Sequence, residues 1–402
     1  MVWFIIFVGG LLLIYGYVGW RTIAATESRP HWKPLWWAIL IFFFLLPPAT
    51  IILKLHGSKV VSTELLAWLS YISLGFFTLL FIHLFVRDLF LVAASIGRGC
   101  KALLRRHGKG RAISSGVPNQ LRRQFLLYST NLGILGFTGA LTGYGLYEAR
   151  RQPRTVHIKV PLDNLPADLE GLRIVQITDV HVSLTIGRAF VQSIVDAVNR
   201  LTPDLIAFTG DLADGSVADL RDDVAPLAEL SAPYGSFFVT GNHEYYSGVE
   251  PWVEELDRLG FTVLINEHQI LGRGKDRFVV AGVTDYSARH FLSEHISSPK
   301  TALAGVPSDL VKILLAHQPR SVFAAAREGV DLQISGHTHG GQYYPWNFLV
   351  GLSQPYISGL HLHDSTYIYV SRGAGYWGPP LRLAAPSEIA LITLTGSGRV
   401  ST

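Results

Sequence analysis

Hydrophobic patterning divides the chain in two. Up to residue 150 the apolar positions form long uncharged runs at 2–20, 34–53, 65–86 and 124–147. A helix needs about 20 apolar residues to cross a bilayer, so the four runs predict membrane-spanning helices over those ranges. Trp20, Trp36 and Trp37 stand at run ends, where interfacial aromatics concentrate. Pro47-Pro48 predicts a kink in the second helix, which neighbouring helices can tolerate. The run at 89–96 is too short to span and either extends the third helix or lies at the interface. Residues 87–123 read as a basic loop, and His83, the one titratable side chain well inside a run, as a helix-packing or interfacial residue.

Past residue 150 the pattern changes. Residues 151–160 read as a linker, and short β-rich runs then alternate with turns and helical stretches. Strands are predicted at 172–178, 205–209, 236–240, 261–266, 269–271, 278–283, 312–316, 332–335, 366–370 and 388–394. Helices are predicted at 189–201 and 251–259. Strands alternating with helices imply an α/β domain, over 155–400, with helices outside the sheets. The polar residues recur at one place, because apolar strands end in Asp, His or Asn, often beside Gly. That placement builds ligand sites at the carboxyl ends of strands. The last such end is Gly336-His337-Thr338-His339-Gly340-Gly341. Strand periodicity points two residues of spacing two the same way, glycine permits bending and close approach, and imidazole is the commonest side-chain ligand of transition metals. Alone, this stretch reads as two histidines in a surface turn; the other strand ends make it a candidate site.

Composition agrees with a membrane part joined to a water-facing part. Charged residues are 16% of the chain, against about 25% in soluble proteins. Residues 1–150 hold 15 Lys and Arg against 4 Asp and Glu, whereas the remainder holds 19 against 26. The excess sits between apolar runs, and the remainder is acidic, so nucleic acid is disfavoured as a partner. Arg87, Arg98, Lys101, Arg105, Arg106, Lys109, Arg111, Arg122 and Arg123 separate runs three and four, whereas only Lys54 and Lys59 separate runs two and three. The positive-inside rule places the former in the cytoplasm. That predicts a multi-pass cell-membrane protein with its second domain on the extracytoplasmic side. Leu121-Arg122-Arg123-Gln124-Phe125-Leu126-Leu127 resembles a twin-arginine export signal, although it lacks a Lys after Phe-Leu and lies inside the chain. Its other reading is a pair of arginines at a cytoplasmic helix end, with the same orientation. Arg150, Arg151 and Arg154, just past run four, argue the other way. The single cysteine, Cys100, excludes an intrachain disulfide. The scarcity of charge within the runs argues against a transporter.

Five motifs occur in order: Asp179-Val180-His181, Gly210-Asp211, Gly241-Asn242-His243-Glu244, Ala316-His317 and Gly336-His337-Thr338-His339. Together they resemble the calcineurin-like metallophosphoesterase superfamily over roughly residues 170–395. Gly373-Ala374-Gly375-Tyr376-Trp377-Gly378, Arg382 and Pro386-Ser387-Glu388-Ile389 are similar to the tail of a membrane-associated bacterial subgroup, which includes lipid-related pyrophosphatases. The resemblance implies a four-layer α-β-β-α sandwich preceded by the four-helix membrane region. It implies two divalent cations, Mn with Fe or Zn as alternatives. Asp179, His181 and His339 would hold one, Asn242, His317 and His337 the other, and Asp211 would bridge both. Paired cations clamp an in-line displacement and activate water as the nucleophile, so Asp211 counts as catalytic, and His243 would donate a proton to the leaving oxygen. The implied function is hydrolysis of a phosphoester or pyrophosphate bond, with a lipid-linked substrate favoured by the membrane anchor. The alternative is an inactive binding or scaffold domain on the same fold, which predicts lost ligand positions; none is lost.

Other residues carry lesser expectations. Glu244 either orients His243 or caps a helix. Gly340, Gly341 and Gln342 either serve the turn or contact substrate, and Asp285, just past the strand at 278–283, is a candidate for support near the site. His361 and His363 sit on an exposed edge strand. Tyr343, Tyr344, Trp346, Tyr376 and Trp377 line a groove, face lipid or pack.

Overall fold

The computed structural model describes residues 2–24, 30–55, 62–106, 120–163 and 165–397. Lys59, Lys109 and Arg111 of the charge argument lie outside them. The chain divides into two compact units, Met1–Gly145 and Leu146–Thr402.

The first unit is helical: α1 (Val2–Gly19), α2 (Lys33–Leu55), α3 (Ser62–Arg106) and most of α4 (Gln120–Arg150). All four are long and apolar enough to cross a membrane. Leu11, Tyr15, Val18, Leu40, Phe77, Leu80 and Leu84 form a buried cluster. α2 continues through Pro47-Pro48 as a single helix. The expected loop at 87–123 is instead helical at both ends, since α3 runs on to Arg106 and α4 begins at Gln120. Charge broke the apolar run without breaking the helix, because Arg87-Asp88 is internally paired. Asp88 accepts from Tyr17 (2.5 Å), from Arg21 (2.6 Å) and from Arg87 (2.8 Å). His83 Nδ1 meets the Thr138 hydroxyl at 2.8 Å, a contact between α3 and α4.

The second unit stacks two six-stranded sheets. The first holds β1 (Arg154–Leu162), β2 (Arg173–Ile177), β3 (Leu205–Phe208), β4 (Ser236–Phe238), β5 (Phe261–Val263) and, at the far end of the chain, β12 (Glu388–Gly396). Its order is β1-β12-β2-β3-β4-β5. The second holds β6 (Glu267–Arg273), β7 (Asp276–Gly282), β8 (Val311–Leu315), β9 (Leu332–Ser335), β10 (Gly359–His363) and β11 (Thr366–Val370), in the order β10-β11-β9-β8-β7-β6. The presumed linker is therefore, from Arg154, an edge strand paired in parallel with β12.

Alternation along the strands explains the layers. Leu205 and Ala207 face a core that also takes Phe278, Val280, Ile313 and Ile334 from the other sheet. Their neighbours Ile206 and Phe208 face outward, against Val191, Ile194, Val195 and Val198 of α5 (Arg188–Arg200). Leu220 of α6 (Val217–Val224) and Trp252 and Leu256 of α8 (Val249–Arg258) complete that layer, with the short α7 (Asn242–Ser247) leading into α8. On the far side Val279, Ala281 and Leu314 pack against Ala302, Leu303 and Ala325. The order helices, sheet, sheet, helices is the expected four-layer sandwich.

The parallel runs β2-β3-β4 and β8-β9 matter for chemistry, because their carboxyl ends carry the polar residues. His361 and His363 lie on β10, an edge strand, as expected.

Candidate metal centre

Each predicted residue leaves the end of a parallel strand. Asp179 and His181 follow β2, Asp211 follows β3, Asn242 and His243 open α7 after β4, His317 follows β8, and His337 and His339 follow β9. The structure brings seven of them into converging groups, and Asn242 directly precedes His243 of that set. Ligating atoms of Asp179, His181 and His339 lie within 4.8 Å of one another, as do those of Asp211, His317 and His337. A third trio, His181, Asp211 and His243, bridges the two. Asp211 Oδ2 lies 3.1 Å from His317 Nε2 and 3.7 Å from His181 Nε2, so its carboxylate reaches both sides.

The backbone is bent to achieve this. Asp179, His181, Asp211, His337 and His339 all have φ between 51° and 71°, a left-handed conformation costing roughly 1–2 kcal/mol per non-glycine residue. Such strain concentrates at functional sites. It also corrects the periodicity argument: β9 ends at Ser335, and the left-handed turns send His337 and His339 to different clusters. The glycines make room for carboxylates rather than for ligand alone. A Cβ on Gly336 would stand 2.2 Å from Asp179 Oδ2, and one on Gly241 2.2 Å from Asp211 Oδ1.

Hydrogen bonds at the rear of the rings set which nitrogen faces inward. His317 Nδ1 donates to the Thr209 carbonyl (2.7 Å) and His181 Nδ1 to Asp214 (3.0 Å), directing both Nε2 atoms into the site. There His181 Nε2 lies 3.0 Å from His339 Nε2, and His317 Nε2 3.2 Å from His337 Nδ1. Convergent imidazole nitrogens with mixed oxygen donors suit a transition metal. Asn242 gives an independent test of fit. Its Oδ1 is buried without a hydrogen-bond partner, which costs about 1–3 kcal/mol unless something answers it, and a cation would.

Charge in the site is tightly balanced. Burial would raise Asp211, but His317 and His243 outweigh it and hold the carboxyl well below the usual range. Burial would lower His317, but Asp211 and Asp179 hold it well above. Asp179 is raised, chiefly by burial. Burial and then positive His317 push His337 down to about 3, while burial and then Arg382 push His339 well down. Those two rings are thus neutral, as ligation requires.

Asp214 was missed by the sequence reading. Its Oδ1 accepts from His181 Nδ1 and also lies 2.6 Å from His243 Nδ1, so one carboxylate orients two rings. The available signal was the second acid of Gly210-Asp211-Leu212-Ala213-Asp214-Gly215. Glu244 accepts from Gly241 N (2.6 Å), Asp211 N (3.0 Å) and Leu212 N (2.8 Å). It caps α7 and clamps the turn carrying Asp211, rather than orienting His243. Buried Arg382 donates to the carbonyls of His339 (2.9 Å) and Arg372 (2.8 Å), and its guanidinium lies 3.1 Å from His339 Nδ1. Gln342 fastens the Trp377–Pro379 turn, and Asp285 accepts from Gln318, beside His317. Tyr343 and Tyr376 are packing residues, whereas Trp346 and Trp377 are exposed. The rings of Tyr246 and Trp377 flank His243, with centroids 5.1 and 5.7 Å away.

A double-sheet sandwich with clusters of potential metal ligands at its strand ends suggests a dimetal site. The family described as calcineurin-like phosphoesterase matches residues 172–341. A "Transmembrane protein with metallophosphoesterase domain" of Danio rerio is 34% identical over 97% of this chain and 89% of its own length. An "Uncharacterized metallophosphoesterase" of Helicobacter pylori is 42% identical over 65% of this chain and 70% of its own. The solved structure of a dimetal phosphatase from Danio rerio overlaps 56% of this chain and 99% of its own, at 15% identity and a TM-score of 0.34. The chain belongs to the calcineurin-like metallophosphoesterases, and is a metal-dependent phosphoesterase.

Proposed function

We propose that the chain is a membrane-anchored dimetal phosphoesterase acting on a lipid-linked phosphoester or pyrophosphate. In this reading Asp179, His181 and His339 hold one cation, Asn242, His317 and His337 hold the other, and Asp211 serves both. The observation that carries it is the pair of ligand clusters sharing Asp211. The mixed N and O donors favour Mn, with Fe or Zn as alternatives, over Ca. When bound, such a pair supplies Lewis acidity toward phosphoryl oxygens and lowers the pKa of water. The chain's own residues do the rest. The Thr209 carbonyl and Asp214 keep His317 and His181 in register. His243, held by Asp214, carries the proton for the leaving oxygen. The acidic balance of residues 151–402 argues against nucleic acid as substrate.

Chelator-treated full-length protein is expected to lose hydrolysis of bis(p-nitrophenyl) phosphate and to recover it with Mn²⁺. Re-metallation should raise the unfolding free energy by about 3 kcal/mol at a hundredfold excess over Kd. Metal analysis giving no more than one cation per replete chain overturns the dimetal reading.

Four helices long and apolar enough to cross a membrane, and likeness along nearly the whole chain to a relative named as transmembrane, support membrane association. The basic residues between the third and fourth spans support an extracytoplasmic catalytic domain. A C-terminal tag should therefore be labelled by an impermeant reagent on intact cells; labelling only after permeabilisation reverses the orientation.

A further inference from the structure

One surface segment beside the metal centre is built unlike the rest of the catalytic unit. Residues 340–360 contain no Asp, Glu, Lys or Arg. Within them Trp346 is 48% exposed, Phe348 74%, Leu349 46% and Leu352 84%. A lone exposed apolar side chain is ordinary, but a cluster marks an interaction surface. These four project from two consecutive short turns, Trp346–Leu349 and Val350–Leu352.

The segment is fastened to the ligand-bearing strands. Gly341, at φ 81°, lies so close to Asn347 that an added Cβ would meet the Asn347 Cα at 2.1 Å. The Thr338 hydroxyl, between the two histidines, donates to the Ile357 carbonyl at 2.6 Å. The Gln354 amide donates to Gln318 Oε1 at 3.1 Å, one residue past His317. The surface presented by residues 346–352 therefore lies beside the turns that carry His317, His337 and His339.

The chain itself indicates the partner. α4, whose apolar stretch Gln124–Arg150 is able to cross a membrane, supplies Leu146–Arg150 to the catalytic unit. Only Arg151, Gln152 and Pro153 separate it from β1, a reach of about 10 Å when extended. A three-residue connection thus tethers the catalytic unit to a helix able to cross a membrane. Trp beside Phe and Leu, on an uncharged stretch, is the composition of an element lying in the lipid interface.

We propose that residues 346–352 insert into the lipid surface and seat the metal centre at headgroup level, where it meets phosphate carried on a lipid. The proposal deepens the phosphoesterase reading, yet its main test reads depth rather than turnover. Cys100 is the only cysteine, so full-length Cys100→Ser with Leu352→Cys takes one environment-sensitive fluorophore. Glu254→Cys, at an exposed position on α8, is the control. In nanodiscs of phosphatidylcholine and phosphatidylglycerol, the label at 352 should shift to the blue. Brominated acyl chains should quench it at least about twofold more than the label at 254. Equal quenching at both sites overturns the proposal. So does a label at 352 that is shielded from iodide but untouched by bromolipid, which signals a protein contact such as a second copy.

The double variant Phe348→Asp with Leu352→Asp should raise KM about tenfold for a phosphodiester carried on an acyl chain. Hydrolysis of soluble bis(p-nitrophenyl) phosphate should be unchanged. Equal losses on both substrates would reduce the segment to a structural prop and overturn the proposal. Protein labelled at 352 that quenches as expected but, like unlabelled wild type, hydrolyses neither substrate would refute the phosphoesterase reading alone.

Discussion

Asp211→Asn is expected to cut kcat/KM on a phosphodiester by about a thousandfold or more and to lower bound metal below two per chain. Asp211 is the one residue whose carboxylate reaches both clusters, at 3.1 Å from His317 Nε2 and 3.7 Å from His181 Nε2. Asparagine keeps the shape and one acceptor, so the bond from His243 N to Oδ1 (2.9 Å) survives, as does the clamp of Glu244 on the Asp211 backbone. What is lost is the charge, and with it an oxygen able to serve two cations. Asp179→Asn is the informative companion. Its carboxylate accepts from His337 N and the Thr178 hydroxyl and belongs to one cluster, so its loss should release one cation and spare the other. Metal analysis beside kinetics, with circular dichroism to confirm folding, separates the cases. An Asp211→Asn protein that keeps two cations and activity within tenfold of wild type would remove Asp211 from the centre.

The strand ends were legible in the sequence because each juxtaposes a short apolar run and an abrupt polar stop. That is why Asp179, Asp211, Asn242, His317 and His337 stood out before any geometry was known. Asp214 was hidden because it lies three residues into a turn, where an aspartate reads as turn chemistry, and only the folded chain sets it behind two imidazoles. β1 was hidden for a different reason. It is a half-exposed edge strand whose partner β12 lies at the opposite end of the chain, so no local signal specifies the pairing. In the membrane unit Arg87-Asp88 looked like the end of a span. Arg21 and Tyr17, far away in sequence, satisfy Asp88 and let α3 continue. The left-handed backbone at His337 and His339 was equally invisible, since non-glycine residues seldom adopt it. Those residues split one His-x-His between two clusters, which strand periodicity alone could not foresee.

His243→Ala is expected to leave both cations in place and lower kcat by about 10²–10³ on esters with alkoxide-like leaving groups. Its Nδ1 lies 2.6 Å from Asp214 Oδ1, and its side chain is 12% exposed. Burial alone would strip its proton, but Asp211 and then Asp214 raise its pKa to about 9, so the ring is charged at neutral pH. A charged imidazole held by a carboxylate can still pass its proton to a leaving alkoxide, which is a far stronger base. A p-nitrophenolate leaving group needs no such proton, so on that substrate the same variant should fall by less than about tenfold. Asp214→Asn should act in the same direction more weakly. Asparagine cannot supply the charge that holds the proton on His243, so the alkaline limb of the kcat profile should move to lower pH relative to wild type. Bound cations also lower that limb, in both proteins alike, so the difference between them is the reading that matters. Equal losses on both leaving groups, or loss of a cation from His243→Ala, would make His243 a ligand or a charge stabiliser in place of an acid.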